Sequence, residues 1–176
     1  MKALVVYESM FGNTATIAVA IAEGLKPVGE VQLVDVGAAP TTIGPDIGLV
    51  VVGGPTHAFG MSRTNTRRAA RRQGAVPSSA GDIGIREWLE DVRIVAPGAG
   101  GGPSAAAFDT RLPSQLSGSA ARSARRRLRQ LGLPLVTAPT SFAVGGTTGP
   151  LLDGEVERAR RWGSDLAAHL PGEILT

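Results

Sequence analysis

Ser9, Gly12, Asn13 and Thr14 fall within one short stretch, Ser9-Met10-Phe11-Gly12-Asn13-Thr14, whose groups suit the holding of an anion. Ser9 and Thr14 offer hydroxyls, Asn13 an amide, and Gly12 a backbone that can turn close to a ligand. No Lys or Arg stands among them, so the chemistry is that of a phosphate gripped by neutral donors rather than one undergoing transfer. An apolar run, Ala3-Leu4-Val5-Val6-Tyr7, precedes the stretch and reads as a buried strand. After it, Ile17, Ile21 and Leu25 recur at helical steps, with Ala18 and Ala22 beside them on the same face. A loop between a strand and a helix points unpaired backbone N–H groups, and the positive end of the helix dipole, at one spot. The plainer reading is a strand-to-helix turn with Asn13 or Gly12 as the helix cap.

The elements that must position this loop follow from apolar runs and breakers. Residues 31–36 read as a second strand and 47–52 as a third. The third runs into Gly53-Gly54-Pro55-Thr56-His57-Ala58-Phe59-Gly60. Residues 92–96 read as a fourth strand, followed by Pro97-Gly98-Ala99-Gly100-Gly101-Gly102-Pro103. A fifth strand is expected at 133–137, with 141–144 extending or flanking it. Helices are expected at 64–73, 82–90, 117–131 with Gly132 as stop signal, and about 153–169. The last carries Val156, Ala159, Gly163, Leu166 and Leu170 on one face. Strand and helix thus alternate, which predicts an α/β domain with a parallel sheet covered on both faces. Three of the expected strands end in Gly-rich loops, and ligands of such sheets bind outside the carboxyl ends of the strands, where the strand order reverses.

The first loop resembles the FMN-phosphate loop of the flavodoxin family, Ser/Thr-x-Thr-Gly-x-Thr. Ser9, Gly12 and Thr14 match, and Phe11 stands where a Thr is usual. An aromatic there is also familiar from the flavodoxin-like domains of flavodiiron proteins. The resemblance covers nearly the whole chain in element order. It implies a single flavodoxin-like, doubly wound domain over residues 1–176, with a five-stranded parallel sheet of order 2-1-3-4-5. It implies FMN as cofactor, with Ser9, Met10, Phe11, Gly12, Asn13 and Thr14 at the phosphate. Pro55, Thr56, His57, Ala58, Phe59 and Gly60 would then hold one side of the ring, and Pro97, Gly98, Ala99, Gly100 and Phe108 the other. The expected stacking groups are His57, Phe59 and Phe108, since the one Tyr ends a buried strand and Trp88 and Trp162 lie on helices. Asp109 and Arg111 could border the pocket. The plainer reading of Phe108 is a core contact, and of His57 a loop residue bonding the backbone. A nicotinamide dinucleotide would call for Gly-x-Gly-x-x-Gly after the first strand, which residues 7–14 do not offer.

Composition narrows the remaining classes. The absence of Cys rules out disulfides and thiolate chemistry, and with only 2 His a dedicated transition-metal site is not expected. No apolar run reaches the roughly 18 residues of a membrane span, and the N-terminus lacks a signal-peptide pattern, so a cytoplasmic protein is expected. The formal charge is +3, yet the pI is about 10.2 because the basic residues are nearly all Arg. Two runs carry much of it, 63–72 and 122–129. Ala120, Ala124, Leu128 and Leu131 form a helical stripe from which Arg122, Arg125, Arg126 and Arg129 stand aside. No aromatic residue interleaves with them, so solvated faces are expected rather than nucleic-acid binding.

No paired carboxylates, nucleophile elbow or metal-ligand spacing is evident. The leading reading is an FMN-binding electron-transfer protein that works with a redox partner protein. The alternatives are an FMN-dependent NAD(P)H oxidoreductase acting on quinones or similar acceptors, and a flavin-free interaction module. Electron-carrier flavodoxins are typically acidic, and this chain departs from them in being weakly basic.

Overall fold

The computed structural model describes residues 1–57, 60–76, 83–95, 102–113 and 118–170. Five strands form the main sheet: β1 (Lys2–Tyr7), β2 (Glu30–Asp35), β4 (Ile47–Pro55), β6 (Ser104–Arg111) and β7 (Thr140–Ala143). Every pairing is parallel, and the spatial order is β2-β1-β4-β6-β7, which is 2-1-3-4-5 when these five are counted along the chain. Two short strands, β3 (Thr42–Ile43) and β5 (Arg93–Ile94), pair in a separate parallel ribbon. The helices are α1 (Asn13–Leu25), α2 (Thr64–Arg72), α3 (Ile85–Asp91), α4 (Ala120–Gln130) and α5 (Glu155–Ala168). Among the described residues no helix is long and apolar enough to cross a membrane.

The pleat divides the sheet's side chains between two layers. Leu4, Val6, Val50, Val52, Ala105 and Ala107 point to the side covered by Ile85, Trp88 and Leu89 of α3 and by Ala120, Ala124 and Leu128 of α4. Ala3, Val5, Leu49, Val51, Ala106 and Phe108 point to the side covered by Ile17, Ile21 and Leu25 of α1 and by Ala159, Trp162 and Leu166 of α5. Both faces are buried, which is why the central strands are continuous apolar runs. On the second side α1 and α5 meet backbone to backbone. A Cβ on Gly24 would lie 2.1 Å from the Arg160 carbonyl oxygen, and one on Gly163 2.4 Å from that of Ile21.

Several expectations are corrected here. The fourth strand of the main sheet is Ser104–Arg111, not 92–96, whose described part enters only the side ribbon. Ala105, Ala106 and Ala107 have low β-propensity, but they are fully or almost fully buried where helices press on both faces and only small side chains fit. Phe108 is therefore a strand residue with no exposed surface, packed edge-on against Phe142 and Trp162 at 6.2 Å. It is a core contact and not a face for a ring. The fifth strand is Thr140–Ala143, and 133–137 contributes one bridge, Ala105 to Leu135. Gly53 and Gly54 belong to β4 rather than to a loop. A Cβ on Gly53 would stand 2.1 Å from the Phe108 ring, so this glycine makes room for the core aromatic. Val156 is exposed and lies off the buried face of α5. The arginine run at 63–72 is not wholly solvated, because Arg67 is only 4% exposed.

Candidate functional site

The carboxyl ends of β1, β4, β6 and β7 open on one crevice. After β1 the chain pairs once more with β4 through Glu8 N–H to the Gly53 carbonyl (2.9 Å) and then turns. Gly12 caps α1 with φ +86°, a left-handed conformation, which explains why a glycine stands there. The Gly12 carbonyl accepts from the N–H and the hydroxyl of Thr16, both at 3.0 Å, and Ser9 Oγ accepts from Ala15 N–H at 3.2 Å. The N–H groups of Gly12, Asn13 and Thr14 remain as first-turn donors with no acceptor among the described residues. Asn13 Nδ2 donates to the Thr148 carbonyl (3.2 Å), tying this loop to the one after β7. The Thr14 hydroxyl is buried against that of Thr110 at 2.7 Å. Phe11 packs with Met10, Ala70 and Ala75, so the aromatic turns toward α2.

The loop after β4 is held by a buried carboxylate. Asp109, with no exposed surface, accepts at Oδ2 from Ser119 Oγ (2.6 Å), Ala121 N–H (3.0 Å) and Thr56 Oγ1 (3.0 Å). Thr56 Oγ1 accepts in turn from Ala120 N–H at 2.9 Å. The acidic group thus sits on the N-terminus of α4, where the helix dipole favours it. Its Oδ1 is buried without a partner among the described residues. His57 and Gly60 exchange backbone hydrogen bonds of 2.8 and 3.0 Å, closing a tight turn. Burial, and after it the Arg67 charge, hold the His57 imidazole below its ordinary range, so it is neutral at pH 7.

Behind these loops lies a polar cluster. Glu8, 2% exposed, accepts from the Ser62 hydroxyl and from Ile85 N–H (2.9 Å). Arg67 donates to Ser62 Oγ (2.9 Å) and to Glu87 Oε1 (3.0 Å). Burial pushes the Glu8 carboxyl up, opposed by Ser62, the Ile85 N–H and Arg67. The cluster locks the end of β1 to the starts of α2 and α3. Gly84 leaves the cluster its room, since a Cβ there would meet Arg67 Nη1 at 2.5 Å and Glu8 Oε2 at 2.7 Å and these side-chain ends would have to shift.

The crevice has a volume of about 340 Å³, within the range of small-molecule sites. The first loop contributes Met10, Phe11, Asn13 and Thr14, and the second Pro55, Thr56 and His57. Ser9 and Gly12 line an adjoining hollow that shares Met10 and Phe11 with it. Gly60 closes the turn beside His57. Ala58, Phe59, Pro97, Gly98, Ala99 and Gly100 lie outside the described residues. Sequence reasoning missed Thr110 and Leu112 at the end of β6, and Val144, Gly146 and Thr147 after β7. Arg111, expected only as a possible border, lines the crevice, whereas Asp109 lies buried beneath it. A signal for the last group exists: Gly145-Gly146-Thr147-Thr148-Gly149 is a further Gly- and Thr-rich stretch directly after a strand. Among the described residues no group of three His, Asp or Glu is placed to hold a metal ion.

Neither a protein-family model nor a curated protein matches this sequence. Solved structures do match. A flavodoxin from the domain Archaea shares 21% identity, with 96% of this chain and 97% of that chain covered and a TM-score of 0.64. Flavodoxin 2 from Bacillus cereus, in its oxidised form, shares 19% over 96% and 99% of the two chains, with a TM-score of 0.65. The fold is flavodoxin-like. The flavodiiron protein from Giardia intestinalis also matches, at 21% identity and a TM-score of 0.58, with this chain covering 36% of it. In the flavodoxin-like frame the crevice lies at the switch point, where β1 and β4 are neighbours but are joined through β2 on the opposite side.

Proposed function

We propose that the crevice binds FMN and that the protein is an electron-transfer flavoprotein of flavodoxin type. The observation that carries this reading is the convergence of strand-end loops on one cleft, with the N–H groups of Gly12, Asn13 and Thr14, unpaired among the described residues, on its first loop. These donors, backed by the dipole of α1, suit a phosphate dianion that has no Lys or Arg in the 9–14 loop to meet it. Met10, Pro55, Leu112 and Val144 give apolar cover for a flat ring, and neutral His57 and the Thr56 backbone give polar contacts at its edge. Among the described residues no carboxylate lines the crevice itself, and Asp35 borders only the adjoining hollow beside Ser9 and Gly12. FMN, when bound, would supply the redox chemistry, and the chain supplies binding, orientation and the surrounding field.

The test is a titration of the purified protein with FMN and with riboflavin, followed by flavin absorbance and fluorescence. FMN should bind at least about a hundredfold more tightly, because riboflavin forgoes several charge-assisted hydrogen bonds at the loop. Equal affinity for the two would remove the first loop as anchor. Consumption of NADPH or NADH with a quinone, without an added reductase, would replace the carrier reading by that of an oxidoreductase.

A further inference from the structure

Two helices stand out in charge, although α3, on the same side as α4, carries Glu87, Glu90 and Asp91 with Arg86. α2 carries Arg67, Arg68, Arg71 and Arg72 and no acidic residue, and α4 carries Arg122, Arg125, Arg126, Arg127 and Arg129 and no acidic residue. On the opposite face, Arg158 and Arg160 of α5 are each paired with carboxylates, Glu155, Glu157 and Glu23. Arg67 is spent on Glu87, and Arg127 donates to the Leu89 carbonyl. The other four arginines of α4 have no ion-pair partner among the described residues.

Those four stand at positions 122, 125, 126 and 129, the spacing that places side chains on one helix face over roughly 10 Å. They line a hollow of about 440 Å³ with Gln130. Arg122, Arg126 and Arg129 are exposed, and Arg125 is half-buried with its Nε out of solvent and unpartnered among the described residues. Desolvating a guanidinium nitrogen without an acceptor is costly, and an incoming carboxylate would relieve that cost. The stripe also begins at the crevice. Ala120 and Ala121 donate to the Thr56 and Asp109 side chains, and a Cβ on Gly60 would lie 3.5 Å from Ser123 Oγ. A body seated on the stripe therefore abuts the turn that carries His57.

We propose that the Arg122–Arg125–Arg126–Arg129 face of α4 is the docking surface for an acidic partner protein, seated beside the crevice. The charge layout alone carries the docking, and only its use in electron transfer rests on the FMN reading. Carboxylate side chains are favoured over single-stranded nucleic acid because no aromatic residue lines the hollow to stack a base, and a duplex held only by its phosphates would be released at physiological salt. The polarity is the inverse of an acidic carrier meeting a basic reductase, and complementary charge would steer the encounter in the same way.

The test uses an acidic plant-type ferredoxin and a short DNA duplex as probes, at low and at physiological salt, on the protein with and without added FMN. The parent should bind ferredoxin, with affinity falling as salt rises. Arg122→Glu combined with Arg126→Glu should weaken that binding by about tenfold or more, because opposite charges become like charges at the contact. Arg161→Glu, on the exposed face of α5, should change it less than about twofold. If the double reversal disturbs the circular dichroism spectrum, Arg122→Gln with Arg126→Gln replaces it and should act in the same direction. Equal losses from α4 and α5 variants would overturn the proposal, as would duplex binding tighter than ferredoxin binding at physiological salt. Ferredoxin binding that is unchanged in the absence of FMN separates a failure of the docking face from a failure of the flavin reading.

Discussion

Single residues set the crevice through contacts with little redundancy. Thr14 is the clearest case, since its hydroxyl is buried against Thr110 and joins the start of α1 to the end of β6. Thr14→Ala leaves Thr110 Oγ1 without that partner and should lower the unfolding free energy by about 1–3 kcal/mol in urea titrations. Thr14→Ser keeps the hydroxyl and should recover most of the loss. The same pair predicts a fall in FMN affinity of about tenfold for Ala and little for Ser, because the first-turn donors shift when the tie is cut. His57 gives a pH signature. Its imidazole titrates below the ordinary 6.5 in the folded state, with burial as the larger cause, so the unfolded chain binds the proton more readily. Stability from this group is full above 6.5 and is lost as pH falls from there through the folded value. His57→Asn should flatten the dependence of the melting temperature on pH between 5 and 7. An unaltered slope would mean that the imidazole titrates normally.

Elements are placed by what fits between them. Gly24 and Gly163 allow α1 and α5 to cross with backbones in contact. Alanine is the better helix former by about 1 kcal/mol, yet Gly24→Ala should destabilise by about 2 kcal/mol or more, since the clash is with a carbonyl oxygen that cannot swing away. Chemical denaturation of that variant beside Val19→Ala, an exposed site on the same helix, separates the clash from any general effect on α1. The same issue of fit explains what could be read in advance. β1 and β4 were legible because Leu4 to Val6 and Leu49 to Val52 are buried apolar runs, and α1 because Ile17, Ile21 and Leu25 share one face. β6 was not, because three alanines signal helix or loop until the flanking helices are known. The placement of Phe108 failed for the same reason: a ring next to a Gly-rich stretch looks like a loop residue until the strand beneath it is seen. At the crevice the first two loops were legible from Gly, Thr and Asn chemistry. The contributions of Thr110, Leu112 and Val144 depend on where β6 and β7 stop, and hydrogen bonding across the sheet decides that.

At the scale of the molecule, ligand and fold are linked. If FMN anchors on the N–H groups of the first loop, it binds only the folded chain. A hundredfold excess over its dissociation constant then adds about 2.7 kcal/mol of stability. For a chain of this size that corresponds to a rise of roughly 5–10 °C in the melting temperature. Riboflavin at the same concentration should give a much smaller rise. Differential scanning fluorimetry with the two ligands measures both, and equal shifts would contradict anchoring at the phosphate.

The seam between α1 and α5 also has a consequence for synthesis on the ribosome. Ile17, Ile21 and Leu25 emerge early, but the surface that covers them includes Ala159, Trp162, Leu166 and Leu170. Translation must run from Leu25 to Leu170 before that half of the interior can close, a wait on the order of ten seconds at ordinary elongation rates. Over that interval the nascent chain carries α1 as an uncovered apolar helix, the kind of surface that holdase chaperones bind. Stalled chains ending before residue 155 should therefore remain protease-sensitive throughout α1 and be retained by such chaperones, whereas chains stalled with residue 170 well clear of the exit tunnel should be protected.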